Sequence, residues 1–313
     1  ARSPHVVVHD ILTLAPALAA ELQGIPRATL IPHLYPVSEP GFPPYSVGAR
    51  KPRTALGSAF WSAFTRPLKR GLEQGRAELN EARRLVGLPP TERLHGGLSP
   101  DLCLVATFPQ LEYPREWPDS VRVVGPLLWE PPVPGPPPLP SGAGPLVLLA
   151  PSTSHDAGQR LLMAGIEGLA GTGARVLAST DHRAPARALR ADAGATRLVS
   201  WLSYAQAMPY ADAVVCHAGH GTLARALCCG APVVAIPHSG DMAENAARLD
   251  WAGAGVRLSW RLLNATTLRL AVARALDPDQ PFVGNARELA AWASANDGPT
   301  TAANLVEELG RRA

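Results

Sequence analysis

The chain has 313 residues and a mass of 32.9 kDa, enough for two domains with a core each. Hydrophobic residues make up 46% and charged residues 18%, the balance of a globular protein. A dispersed net charge of +3 lacks the basic footprint of a nucleic-acid binder, and no apolar run reaches the length of a membrane span. Cys103, Cys216, Cys228 and Cys229 lie in apolar segments without metal-ligand spacing, which predicts reduced core thiols in a cytoplasmic protein with no metal site.

Val6-Val7-Val8-His9 reads as a strand, followed by Asp10 and a helical run from Leu14 to Leu22. Ala28 to Ile31 reads as the next strand and ends at Pro32-His33. From Pro36 to Pro67 the sequence is irregular and carries the aromatics Phe42, Tyr45, Phe60, Trp61 and Phe64. Leu72 to Val86 predicts a helix with Leu72, Leu79, Ala82 and Val86 on one face and Gly87-Leu88-Pro89-Pro90 as its stop. Strands follow at Leu102 to Ala106 and Val121 to Val124.

Glu130 to Pro140 holds seven prolines in eleven residues, a stiff run that cannot join a sheet. It predicts a boundary, with one domain over residues 1–129, a linker over 130–143 and a second domain over 144–285. In the second domain, strands at Leu146 to Ala150, Arg175 to Ser179, Arg197 to Val199, Ala213 to Cys216, Val233 to Ile236 and Val256 to Leu258 alternate with helices. That alternation argues a right-handed parallel α/β sheet. Asn264 is placed to cap a helix carrying Leu268, Val272, Ala275 and Leu276 on one face. The last helix spans about Thr300 to Arg311, within a C-terminal segment 286–313.

Cys216-His217-Ala218-Gly219-His220-Gly221-Thr222 joins a buried strand to a helix that Gly230 stops. A strand, a tight glycine-bearing turn and a helix N-terminus together make an anion site, because the turn's N–H groups lack helical partners and the helix dipole adds positive charge. Gly219 and Gly221 let backbone approach a phosphate, Thr222 can donate a hydroxyl hydrogen bond, and His217 ends a strand where open α/β sheets bind ligands. The competing reading is a sharp turn and nothing more. Ser200-Trp201-Leu202-Ser203-Tyr204 upstream and Pro237-His238-Ser239-Gly240-Asp241-Met242 downstream favour the site, since an aromatic, an anion turn and a strand-end acid suit a base, a diphosphate and a sugar.

This spacing resembles the nucleotide-sugar signature of the UDP-glycosyltransferase superfamily, on Trp201, His217, Gly219, Gly221, Thr222, Gly230, Pro232, Pro237, Asp241, Asn245 and Ala246. The nearest flavour is the bacterial enzymes that glycosylate macrolides and other secondary metabolites. The resemblance implies a GT-B fold of two facing Rossmann-like domains, with the N-terminal one incomplete at its start and the terminal helix crossing back to it. It implies transfer of a sugar from a UDP- or dTDP-sugar to a hydroxyl of a small-molecule acceptor such as a macrolide or a phenol. Transfer would be inverting and metal-independent, with no cofactor besides the nucleotide sugar. Trp201 would meet the base, His217, Gly219, Gly221 and Thr222 the diphosphate, and Asp241 the sugar, with Leu202 and Met242 as further donor-binding residues. Ser152, Thr153 and Ser154 would contact the donor or cap the next helix, and Pro36 to Pro67 would form acceptor loops or a surface loop packed by its own aromatics.

The sequence departs from the family pattern at three places. The glutamate that holds the ribose diol falls at Arg225, the glutamine after the strand-end acid at Met242, and the Trp-x-Pro-Gln glutamine at Tyr204. A deoxythymidine donor, which lacks the 2′-hydroxyl, would lose less from the first change. In the family an earlier βα unit carries the catalytic histidine, and no such unit precedes Ala1, so weak transfer is expected. Asp10 matches the acid that orients that histidine, or else caps a helix, and His33 could supply a base beside it. A catalytically weak or inactive auxiliary protein on the same scaffold is the alternative.

Overall fold

The computed structural model of the chain describes residues 4–151, 156, 158–183, 194–238 and 240–312. They fall into two compact units, one of residues 1–45, 51–127 and 296–313, the other of residues 46–50 and 128–295.

The first unit opens with β1 (Val7–Asp10), α1 (Leu14–Leu22) and β2 (Arg27–Ile31), and continues through α2 (Ala55–Ala63), α3 (Thr65–Leu85), β3 (Leu102–Val105) and β4 (Val121–Val123). Its sheet runs β1-β2-β3-β4, all parallel. Successive side chains of a strand point to opposite faces, so β3, buried at every position, feeds two cores. Cys103 and Val105 join Ile31, Tyr35, Leu98 and Val121 in one core, while Leu102 and Leu104 join Ala28 and Val124 in the other.

Two helices differ from the sequence reading. α2 lies inside the stretch expected to be irregular, and Thr54 caps it by accepting the Gly57 N–H at 3.2 Å. No residue of α2 is buried, although Leu56, Phe60 and Phe64 recur at helical spacing. α3 starts seven residues before the expected Leu72, and its buried residue is Arg83 rather than one of the predicted apolar positions. Arg83 donates to both oxygens of Glu21, at 2.8 and 2.6 Å, and Arg27 donates to the same carboxylate at 2.7 Å. These two guanidiniums hold the Glu21 carboxyl down at about 2, and the trio ties α1, β2 and α3 together.

The second unit contains β5 (Leu146–Ala150), α4 (Arg160–Leu169), β6 (Arg175–Ser179), β7 (Thr196–Val199), α5 (Tyr204–Ala207), β8 (Ala213–Cys216), α6 (His220–Cys228), β9 (Val233–Ala235), α7 (Asp241–Ala252), β10 (Gly255–Arg257), α8 (Ala265–Leu276) and α9 (Phe282–Ala295). Its parallel six-stranded sheet has the order β7-β6-β5-β8-β9-β10. That is the doubly wound order, which reverses between β5 and β8 and opens a crevice at their carboxyl ends. Leu149, Leu161, Leu162, Val215, Val234 and Leu268 fill the core on one side of the sheet. Asn264 caps α8 through a reciprocal box with Thr267, as its sequence position predicts. The chain ends in α10 (Gly298–Arg311), which belongs to the first unit and packs Ala302, Leu305 and Leu309 on its second core. None of the described helices is long and apolar enough to cross a membrane.

Candidate functional site

The glycine-bearing turn follows β8, at the place where the strand order reverses. Cys216 lies beside Ala150 across the β5–β8 pair, and the His217 ring nitrogen Nδ1 lies 3.5 Å from the Ala150 carbonyl oxygen. Ala218 then adopts a left-handed conformation with φ +67°, which swings the chain into α6. The imidazole of His217 covers Gly219 so closely that a Cβ there would lie 2.5 Å from Nε2. A side chain at position 219 would require the His217 ring to move. Gly221 and Thr222 lie in the first turn of α6, where N–H groups have no carbonyl of the helix to meet. The helix dipole adds partial positive charge at the same end. Hydrogen-bond donors, a helix end and an imidazole therefore converge on the crevice. His220, one residue into α6, is buried.

A left-handed alanine needs outside support. Asn245, on α7 and 1% exposed, donates its Nδ2–H to the Ala218 carbonyl at 2.9 Å. The Cys216 sulfur accepts the Ala218 N–H at 3.4 Å, and burial pushes that thiol up to about 12, so it remains a neutral SH. Both peptide groups around Ala218 are thus fixed. α7 starts from Gly240, whose φ is +61°, and places Asp241 exposed and Met242 buried in its first turn.

Trp201 follows β7 and stays 44% exposed, whereas Leu202 beside it is buried. Ser203 caps the short α5 by accepting the Gln206 N–H. The carboxylate of Glu130, from the proline-rich segment, accepts the Ala205 N–H at 3.1 Å and pairs with Arg225 of α6 at 3.8 Å. A carboxylate therefore stands beside the position where the family pattern puts its own, but it comes from another part of the chain. No spacing rule points to Glu130. Asn245 is legible only through the motif, which does not say what it bonds.

Of the other candidates, Ser152, Thr153 and Ser154 lie outside the described residues. In the first unit, Asp10 ends β1 and its Oδ1 accepts the Leu12 N–H at 2.8 Å. Thr13, not Asp10, is the N-cap residue of α1. His33 follows β2, with Nδ1 at 2.7 Å from the Leu34 carbonyl and 3.1 Å from the Tyr45 hydroxyl. No hydrogen bond joins Asp10 to His33. The 36–45 stretch and the start of α3 enclose a cavity of about 300 Å³ lined by Phe42, Trp61, Phe64, Leu68 and Leu72, with Glu39, Lys69 and His95 among its polar groups.

Two parallel α/β units, one with a glycine-bearing turn at its switch point, make up the GT-B architecture of glycosyltransferases. The glycotransferase of kitacinnamycin shares this fold with a TM-score of 0.75 over 98% of this chain and 76% of its own, at 20% identity. Glycosyltransferase VinC, solved with dTDP, aligns with a TM-score of 0.69 over 99% and 73%, also at 20% identity. Residues 166–309 match the C-terminal domain family described as Erythromycin biosynthesis protein CIII-like. The 4'-demethylrebeccamycin synthase of Lentzea aerocolonigenes is 31% identical over 320 residues, covering 97% of this chain and 73% of the relative. Zeaxanthin glucosyltransferase of Pseudescherichia vulneris is 31% identical over 314 residues, covering 96% and 73%. The chain belongs to the macrolide-type branch of the UDP-glycosyltransferase superfamily, and it is an enzyme of the glycosyltransferase type.

Proposed function

We propose that the protein moves a sugar from a UDP- or dTDP-sugar to a hydroxyl of a small-molecule acceptor, with inversion and without a metal. The observation that carries this reading is the turn after β8, held by Asn245 and aimed into the switch-point crevice. Two solved structures of the same fold, VinC and spinosyn rhamnosyltransferase SpnG, are complexes with thymidine diphosphate. In this reading Trp201 stacks on the base, with Leu202 behind it. His217, Gly219, Gly221 and Thr222 hold the diphosphate, and Asp241 and Met242 meet the sugar.

The acceptor oxygen forms a bond to the anomeric carbon from the face opposite the diphosphate. The bond from that carbon to the diphosphate oxygen breaks, and its electron pair leaves with the nucleotide. Negative charge therefore grows where the turn's N–H groups and the α6 dipole are already oriented, which is how preorganised sites lower a barrier. The acceptor's proton needs a base, and this chain offers His33. Its Nδ1, donating to the Leu34 carbonyl, leaves the Nε2 lone pair to accept a proton. Asp10 has no direct bond to it. On the acceptor side, the aromatic lining of the 300 Å³ cavity suits an apolar, ring-bearing molecule such as a macrolide or phenol.

Turnover followed by mass spectrometry, with UDP- and dTDP-sugars against phenolic and macrolide acceptors, tests the proposal. Product is expected from at least one pair, lowered about 10²-fold or more in His33→Ala. Melting curves with UDP and dTDP provide the binding arm, since a ligand of the folded state raises stability. No shift with either nucleotide at millimolar concentration would remove the donor site.

A further inference from the structure

One five-residue segment, Ser46–Arg50, belongs to the second unit although its neighbours on both sides in the chain belong to the first. It is built to lie against α7 and the end of β10. Ser46 and Gly48 both adopt left-handed backbone, with φ of +70° and +64°. Gly48 is buried, and a Cβ there would lie 2.5 Å from the Ala243 Cβ and 2.6 Å from its carbonyl carbon. The backbone of the segment thus rests directly on the first turn of α7. The Gly48 carbonyl accepts a hydrogen bond from Nη1 of Arg257, the last residue of β10, at 2.5 Å. Arg50 closes the segment with two contacts to the Asp250 carboxylate, at 2.8 and 3.0 Å.

Ala243 directly follows Asp241 and Met242 in the first turn of α7. That turn begins at a glycine, Gly240, with no side-chain cap, and within the helix terminus the Ala243 N–H bonds the Gly240 carbonyl at 3.1 Å. We infer that Ser46–Arg50 is a strap that sets the position of the Asp241–Met242 turn and thereby the recognition of the donor's sugar. This rests on the reading of that turn as the sugar subsite. Gly48 and Arg50 are positioning residues and touch no substrate. A side chain at Gly48 meets Ala243 backbone, which cannot move aside without moving the turn, and also strains a left-handed φ. Loss of the strap leaves the diphosphate turn intact, because Asn245 holds that one from the next turn of α7.

Linkage makes the effect reciprocal: if the strap strengthens sugar binding, the bound sugar must strengthen the strap. The test compares UDP and dTDP with UDP-glucose and dTDP-glucose by calorimetry, in the full chain and in Gly48→Ala, Arg50→Asp, Asp250→Arg and the double swap Arg50→Asp/Asp250→Arg. Gly48→Ala is expected to weaken the nucleotide sugar about tenfold while moving the free nucleotide less than twofold. Arg50→Asp and Asp250→Arg should each weaken it by up to about fivefold, the limit for an exposed pair, and the double swap should recover most of that. Amides of residues 46–50 should exchange more slowly with the nucleotide sugar than with the free nucleotide. Equal losses for nucleotide and nucleotide sugar, or no recovery in the swap, overturn the strap. If Asp241→Asn selectively weakens the nucleotide sugar and the strap variants do not, the sugar subsite stands and the strap falls. If Asp241→Asn is silent as well, the sugar subsite itself is wrong.

Discussion

Asn245→Ala is the substitution for which the structure sets the effect most narrowly. The side chain is 1% exposed and its amide donates to the carbonyl of Ala218, a residue with no exposure at all. Truncation leaves that carbonyl buried without its donor, which costs about 1–3 kcal/mol. The same bond restrains a non-glycine residue at φ +67°, a conformation worth roughly 1–2 kcal/mol of strain that the turn then has freedom to release. For a domain of this size each kcal/mol moves the melting temperature by about 2–4 °C, so a drop of roughly 2–12 °C is expected in a differential scan. Release of the turn also removes preorganisation for the diphosphate, and UDP and dTDP affinities should fall about 5- to 150-fold by calorimetry, the same 1–3 kcal/mol expressed as binding. Ala218→Gly in the Asn245→Ala background should restore part of the affinity, because glycine reaches the left-handed region without strain. An Asn245→Ala protein that melts within a degree of wild type and binds both nucleotides normally would refute the idea that this amide holds the site.

Three further outcomes follow from other parts of the molecule. Glu21, held at about 2 by Arg83 and Arg27, has a depressed folded-state value, so its contribution is complete above its ordinary 4.5 and is lost as pH falls toward 2. Urea titrations from pH 7 to 2 should show wild type leading Glu21→Gln by on the order of 2–3 kcal/mol at neutral pH, with the gap closing below pH 4.5; a pH-independent gap would contradict the assignment. Trp201→Ala should weaken UDP and dTDP by about 1–3 kcal/mol in calorimetry while leaving inorganic pyrophosphate unchanged, and equal losses for both ligands would mean that the ring does not face the base. Exchanging the pair as Glu130→Arg/Arg225→Glu returns a carboxylate to α6; UDP should then gain over dTDP in competition binding, and an unchanged ratio would separate this pair from the ribose.

How much of this could be read from the sequence depended on how local each signal was. β5, β6 and β8 were legible to the residue, because fully buried parallel strands are short unbroken apolar runs. The turn from His217 to Thr222 was legible for a similar reason: strand, glycines and helix start are contiguous, and the strand order puts them where the sheet reverses. α2 was not, since the prolines and glycines around it read as loop and its Leu56, Phe60 and Phe64, though helically spaced, meet no core. The burial of Arg83 was hidden as well; its partner Glu21 is 62 residues away and belongs to another helix. The contacts of Ser46–Arg50 span about 200 residues, and the seat of Gly48 on Ala243 depends on a backbone shape, not on a side-chain pattern. Motif spacing named Asn245 but could not show that it grips the carbonyl of Ala218.

The place of α10 in the first unit has a consequence for how the protein is made. Ribosomes add about 5–20 residues per second, and domains usually complete their folding in the order in which they emerge. Here the sheet of the first unit is synthesised by Val123, but the helix that covers its second face starts at Gly298. At those rates the delay is on the order of 10–35 s. Throughout it, Ala28, Leu102, Leu104 and Val124 lack their cover, and by its end every strand of the second unit is out. The sheet of the first unit is thus made before the second unit but covered after it, and the nascent chain carries an open apolar face while residues 124–297 are added.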